Sequence, residues 1–223
     1  MVELIYGLFA YFKGSNLENL LIPEIVCMKL SEDFYKGGNV VKIARNLLGK
    51  GLFTRLDGVV TGGLIVETEA YSWKERGCHA FDAKKTQRNA IMFEKGGHAY
   101  VYLCYGMHHL FNVVTNVEGT ADAVLIRAIE PLEGIEEMKL RRGLSRNGFQ
   151  LTSGPGKLTR ALGIDRTFNG KFLRSNEVWI EDLGKKIAKK DIEVSVRIGI
   201  DYAGEDAKLP WRFTLRGNPW ISR

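Results

Sequence analysis

Cysteine is scarce in this sequence of 223 residues: Cys27, Cys78 and Cys104 are odd in number and widely spaced. They signal neither a disulfide framework nor a zinc site, and fit a reducing compartment. Long apolar runs are missing too. The N-terminal stretch MVELIYGLFAYF is too short to span a bilayer, and it lacks the basic flank and small-residue cleavage site of a secretory signal. No internal repeat and no low-complexity segment is present. These absences leave an ordinary globular chain with no membrane partner expected.

What is there fits one core. Hydrophobic residues make up 45% and charged residues 26%, so a single domain is the default. Residues 1–27 are read as an N-terminal arm of unassigned role and 28–223 as the domain, with Met28 an alternative start. The formal net charge of +6 favours an anionic partner, nucleic acid foremost, while a basic enzyme without one remains open.

Along the chain, Asn39 is placed to cap a helix that buries Val40, Ile43, Ala44, Leu47 and Leu48 and stops at Gly49. The segment LFTRLDGVVTGGLIVETEAY then alternates like antiparallel strands, with Asp57-Gly58 and Gly62-Gly63 as turn dipeptides. DAVLIRAIEPLEG reads as a buried strand running into a helix from Pro131, with acidic residues early and basic residues late. LTSGPGKLTRALGI predicts a short helix capped near Thr152 or Ser153 and stopped by Gly163. In DIEVSVRIGI, Ile192, Val194, Val196 and Ile198 alternate as a half-buried strand. Elements of both kinds without a βαβ rhythm predict an α+β fold: one curved antiparallel sheet, surrounding helices and a protruding β-hairpin.

Two stretches carry chemistry. In IVETEAY, strand alternation puts Glu67, Glu69 and Tyr71 on one face, either solvated filler or a site. In YVYLCYGMHHLFNVV, Tyr100 and Tyr102 share a face, whereas Tyr105 has the opposite parity and falls where Gly106 lets the chain reverse. A tyrosine at a hairpin tip lies flat on the surface or serves as a wedge that enters a base stack. The adjacent His108 and His109 lack the spacing and the third ligand of a metal site, and no metal is expected. An enzyme acting on a base inside a duplex needs a wedge, aromatic walls, a carboxylate to activate water and cations for phosphates. Each is available here. A sugar hydrolase pairing Glu67 with Glu69, and a non-catalytic nucleic-acid-binding module using the tyrosines as platforms, stand as alternatives.

GLIVETEAY, the HAFDAKKTQRN segment, YVYLCYGMHHLFNVV, VLIRAIEPLEG, and SGPGKL followed by ALGI resemble, in order and spacing, the alkyladenine (3-methyladenine) DNA glycosylase family of the mammalian type, from about Leu30 onward. The resemblance implies a monofunctional glycosylase that needs no cofactor, acts as a monomer on double-stranded DNA containing damaged purines, and has no lyase step. It implies Glu69 as the general base and Arg127 as its partner in holding water. Tyr71, His79 and Tyr102 would wall the pocket, and Asn112 would obstruct the exocyclic amine of guanine. Tyr105 would be the intercalating wedge, flanked by Met107 and His108 in the groove, and Lys157 would meet a phosphate. Such an enzyme works in the cytoplasm of a bacterium or the nucleus of a eukaryote. The arm has no counterpart in the family, His108 stands where other members can carry an aromatic, and Glu67 is expected to support Glu69.

Overall fold

A computed structural model of the protein describes residues 28–146 and 148–222; the N-terminal arm lies outside them. A short strand β1 (Met28–Lys29) and a single helical turn α1 (Glu32–Tyr35) lead into α2 (Val40–Leu47). Asn39 caps α2 as its position predicts, accepting the Lys42 N–H at 3.0 Å. The helix buries Val40, Ile43, Ala44 and Leu47, and Gly49 follows it in the left-handed region at φ +82.

The next two strands, β2 (Gly51–Leu56) and β3 (Val59–Tyr71), turn at Asp57-Gly58, where both residues have positive φ, the handed turn that suits the twist of paired strands. Gly62-Gly63 is not a turn. Both glycines lie inside β3, which continues past them with a shift in its pairing to β6 between the two. The Phe53 ring covers Gly62, and the Glu130 carbonyl of the neighbouring strand passes where a Cβ on Gly63 would stand, so glycine is used here for close approach.

The remaining strands are β4 (Ala99–Cys104), β5 (His108–Thr115), β6 (Asp122–Glu133), β7 (Val178–Asp182), β8 (Ile192–Ser195) and β9 (Arg212–Leu215). All pairs are antiparallel, in the order β1-β7-β2-β3-β6-β5-β4, with β9 pairing both β3 and β8. Register shifts between β3 and β6 on both sides of Glu67 bend the sheet at the strand that carries the carboxylates. The α+β fold with a curved sheet and a projecting hairpin is therefore as the sequence predicts.

Among the described residues two further α-helices pack on the sheet, α3 (Ile135–Arg142) and α4 (Pro155–Leu162). The helix expected from Pro131 begins at Ile135 instead, because β6 continues through Pro131, paired with Gly63, and the chain turns only at Gly134, φ +69. Nor do Thr152 and Ser153 cap α4. Gly154 does, ahead of Pro155 in the first turn, while the Thr152 hydroxyl donates to the Ile129 carbonyl at 2.6 Å. Gly163 ends α4 in the left-handed conformation, as expected.

The core lies between one face of the sheet and the helices, with Ile65, Val66, Ile126 and Ile129 against Ile43, Leu47, Leu158 and Leu162. Each such fully buried side chain contributes roughly 1.5–3 kcal/mol. The Thr68 hydroxyl donates to the Ala44 carbonyl at 2.9 Å and fixes the back of β3 on α2. The opposite face of β3 is thereby committed to Glu67, Glu69 and Tyr71.

Candidate active site

Glu67 and Glu69 are fully buried, which removes the solvated-face reading. Arg127, from the neighbouring β6, reaches both: its Nε donates to Glu67 Oε1 at 2.9 Å and its Nη1 to Glu69 Oε2 at 3.3 Å. From there the two carboxylates differ. Glu67 also accepts Arg212 Nε (2.7 Å), the Ser222 N–H (2.6 Å) and the Ser222 hydroxyl (2.8 Å). Three of these donors crowd Oε1, and Oε2 takes the Ser222 N–H. Glu69 accepts the Tyr71 hydroxyl on Oε2 at 2.8 Å and the Ile198 N–H on Oε1 at 2.8 Å. Burial, then the charge of Glu69, pushes the Tyr71 phenol well above its ordinary pKa, so Tyr71 stays a neutral donor.

Above this floor opens a cleft of about 790 Å³ lined by Tyr71, His79, Tyr102, Asn112, Arg127 and Ile198, among others. Tyr100 and Tyr102 alternate on β4 and their rings lie 5.3 Å apart; the His79 ring stands edge-on to Tyr102 at 4.6 Å. His79 Nδ1 shares a 2.8 Å hydrogen bond with the Tyr100 hydroxyl. Desolvation in this aromatic setting, helped by the Arg88 charge, lowers His79 to about 4, and burial raises Tyr100 to about 12. At neutral pH the imidazole is therefore uncharged. Asn112, buried on β5 opposite Tyr100, donates its amide to the Tyr100 carbonyl at 3.1 Å. That bond fixes which end of the amide faces away from the strand.

The cleft mouth is formed by the β4–β5 hairpin and the start of α4. Tyr105 and Gly106 both take positive φ at the tip, closed by the Met107 N–H on the Cys104 carbonyl at 3.1 Å. Tyr105 is 85% exposed. His108, the first residue of β5 beside the tip, packs against Gly156, where an added Cβ would stand 2.8 Å from the ring. Lys157, in the first turn of α4, donates to Gln150 at 2.6 Å and lines the cleft. The structure thus brings Tyr71, His79, Tyr102, Tyr105, His108, Asn112, Arg127 and Lys157 to one cavity. Glu69 sits directly behind it, and Met107 points off the hairpin tip outside the lining. A larger groove of about 890 Å³ between α2 and residues 184–194 holds none of these residues. Among the described residues no cluster of His, Cys, Asp and Glu could hold a metal ion, and no helix is long and apolar enough to cross a membrane.

Residues 33–219 match the family model described as Methylpurine-DNA glycosylase (MPG). The chain belongs to the methylpurine-DNA glycosylase family. Several relatives have names containing "3-methyladenine DNA glycosylase". One from Clostridium tetani is 46% identical over 205 residues, covering 88% of this chain and 100% of the relative. One from Bacillus cereus strain G9842 is 43% identical over the same shares. A third, from Chlamydia abortus, is 47% identical over 188 residues, 83% of this chain and 97% of its own. This family membership makes the protein an enzyme of the DNA glycosylase class for alkylated purines, which hydrolyses the bond between base and sugar.

Sequence reasoning about the glycosylase missed one wall. Residues 192–198 do not form a half-buried strand: β8 stops at Ser195, and Val194, Val196 and Ile198 are exposed. The buried member is Arg197, whose guanidinium grips Glu75 at 2.6 and 2.8 Å and donates to the Ala70 carbonyl at 2.9 Å. It also stacks over the Tyr71 ring, 4.7 Å from the centroid. An alternating apolar pattern hid the inverted parity, and the only signal against it was an arginine in the run. The same segment delivers the Ile198 N–H to Glu69 and puts Ile200 and Tyr202 on the cleft wall.

Proposed function

We propose that the glycosylase extrudes a damaged purine from duplex DNA into the aromatic cleft and hydrolyses its N-glycosidic bond with water activated by Glu69. In this reading Tyr71, His79 and Tyr102 sandwich the base, Asn112 screens it, Tyr105 fills the vacated space in the duplex, and His108, Met107 and Lys157 meet the flanking DNA. The water oxygen bonds to the anomeric carbon as the bond from that carbon to the purine nitrogen breaks. The purine leaves with the bonding electrons, and the water proton passes to Glu69. Positive charge grows on the sugar on the way, and a buried carboxylate at the floor stabilises it. The substrates are alkylated purines such as 3-methyladenine and 7-methylguanine, together with hypoxanthine and ethenoadenine. The protein works as a monomer, since one chain supplies every wall.

One observation carries this: a fully buried Glu69 held by Tyr71, Ile198 and Arg127 at the foot of an aromatic cleft. Glu67 does not support the sugar-hydrolase alternative, because four donors occupy it and none leaves it free to deliver a proton. The test is single-turnover incubation with duplexes carrying hypoxanthine or ethenoadenine and with methylated DNA, followed by alkali to cleave abasic sites. Wild type should yield abasic sites. Glu69→Gln should lose on the order of a hundredfold or more in rate while still binding. Equal rates for the two proteins would sink the role of Glu69.

A further inference from the structure

The cleft mouth has a second lip. Opposite the hairpin, the turn Asp201–Lys208 carries Tyr202, which is 70% exposed yet lines the same cavity as Tyr102 and Tyr105. The turn beneath is firmly tied. The Asp206 carbonyl accepts Arg197 Nη2 at 3.0 Å, its carboxylate accepts the Arg76 N–H at 2.9 Å, and Ala203 is buried. The Tyr202 hydroxyl donates to the Gly77 carbonyl at 3.3 Å, which lays the ring along the mouth. A large aromatic ring left in water on an anchored turn, facing a cleft ringed by other exposed aromatics, has the signature of a contact surface.

We propose that Tyr202 is the outer wall of the pocket: its ring packs on the extruded nucleotide from the lip opposite Tyr105 and retains it while the bond is hydrolysed. This rests on the base-extrusion reading above and adds a substrate-binding residue to it. The two tyrosines then do different work. Tyr105 fills a gap that exists only in a duplex, whereas Tyr202 touches the nucleotide that has left the stack. Loss of Tyr202 therefore acts on single strands as well as duplexes. A neutral aromatic face suits the sugar and base edge at the mouth.

The experiment measures single-turnover release of ethenoadenine from a duplex and from the same strand alone, with wild type, Tyr202→Ala, Tyr202→Phe and Tyr105→Ala. Removing a stacking ring should slow release at saturating protein by about fivefold or more for Tyr202→Ala on both DNAs. The half-saturating concentration should move little, because phosphate contacts set docking, and Tyr202→Phe should stay close to wild type. Tyr105→Ala should be impaired chiefly on the duplex. The inference is overturned if Tyr202→Ala matches wild type on the duplex, or if its loss is confined to the duplex, which would make it a second wedge. It also fails if Phe and Ala are equally impaired, because the hydroxyl bond to Gly77 would then be the cause. Should wild type be silent on single strands, the duplex comparison of Ala with Phe decides. A wild type that releases no base from any DNA overturns the functional reading itself, and this inference with it.

Discussion

Glu67 and Glu69 stand two residues apart on one strand and share Arg127, yet their remaining partners separate them. Glu67 neutralises Arg127 and Arg212 and anchors Ser222 near the C-terminus, so it holds three distant parts of the chain together. Glu67→Gln leaves two guanidinium groups short of their carboxylate, and unfolding in urea should show a loss of about 3 kcal/mol, the scale for breaking a buried ion pair from one side. A change within experimental error would mean that the network is dispensable. His79 gives the pH dependence. Its folded pKa of about 4 lies below the ordinary imidazole value of about 6.5, so between those values the unfolded chain binds a proton that the folded one refuses. Stability from this group is present above pH 6.5 and declines as pH falls toward 4. His79→Gln should flatten that part of the stability profile; an unchanged profile would show that another group is responsible.

At the scale of elements, much of the cleft was legible in the sequence because its parts obey local rules. Strand parity placed Glu69 with Tyr71, and a reversal at Gly106 put Tyr105 at a tip. Helix caps at Asn39 and Gly163 follow from conformations those residues favour. What local rules could not show depends on partners far along the chain. Arg197 is buried because Glu75 waits for it 122 residues earlier, and Gly62-Gly63 stays extended because Phe53 and Glu130 crowd it. The contact between α4 and the hairpin is of this second kind. Gly156 lets the helix start approach His108, and the Thr159 hydroxyl donates to the His109 carbonyl at 2.7 Å. Gly156→Ala must push His108, and with it the tip end of the hairpin, aside. Duplex base release should therefore fall several-fold with thermal stability little changed, and a full-rate enzyme would show that the hairpin position is not set there.

At the scale of the whole molecule, the net charge of +6 is the only feature visible before any residue is placed, and it sets how the protein meets DNA. Arg88, Arg142 and Lys157 line the cleft, and Lys84 and Lys85 stand exposed on the turn before Arg88. Each phosphate neutralised by such a cation releases a condensed counterion, so affinity falls with salt in proportion to the number of contacts. Three lining cations alone predict a slope of log K against log salt near roughly −2.7, and Lys84 and Lys85 would steepen it. Because a phosphate carries no sequence information, Lys157→Ala should reduce the slope by about 1 and weaken damaged and undamaged duplexes alike. Glu69→Gln should leave the slope where it is, since Glu69 lies buried behind the aromatic wall and the role proposed for it is in the bond-breaking step. Titrating both variants and wild type against one undamaged and one ethenoadenine duplex at several salt concentrations separates the two functions. A slope near zero for wild type would mean that phosphates do not lead the encounter, and that the aromatic mouth finds its target by shape alone.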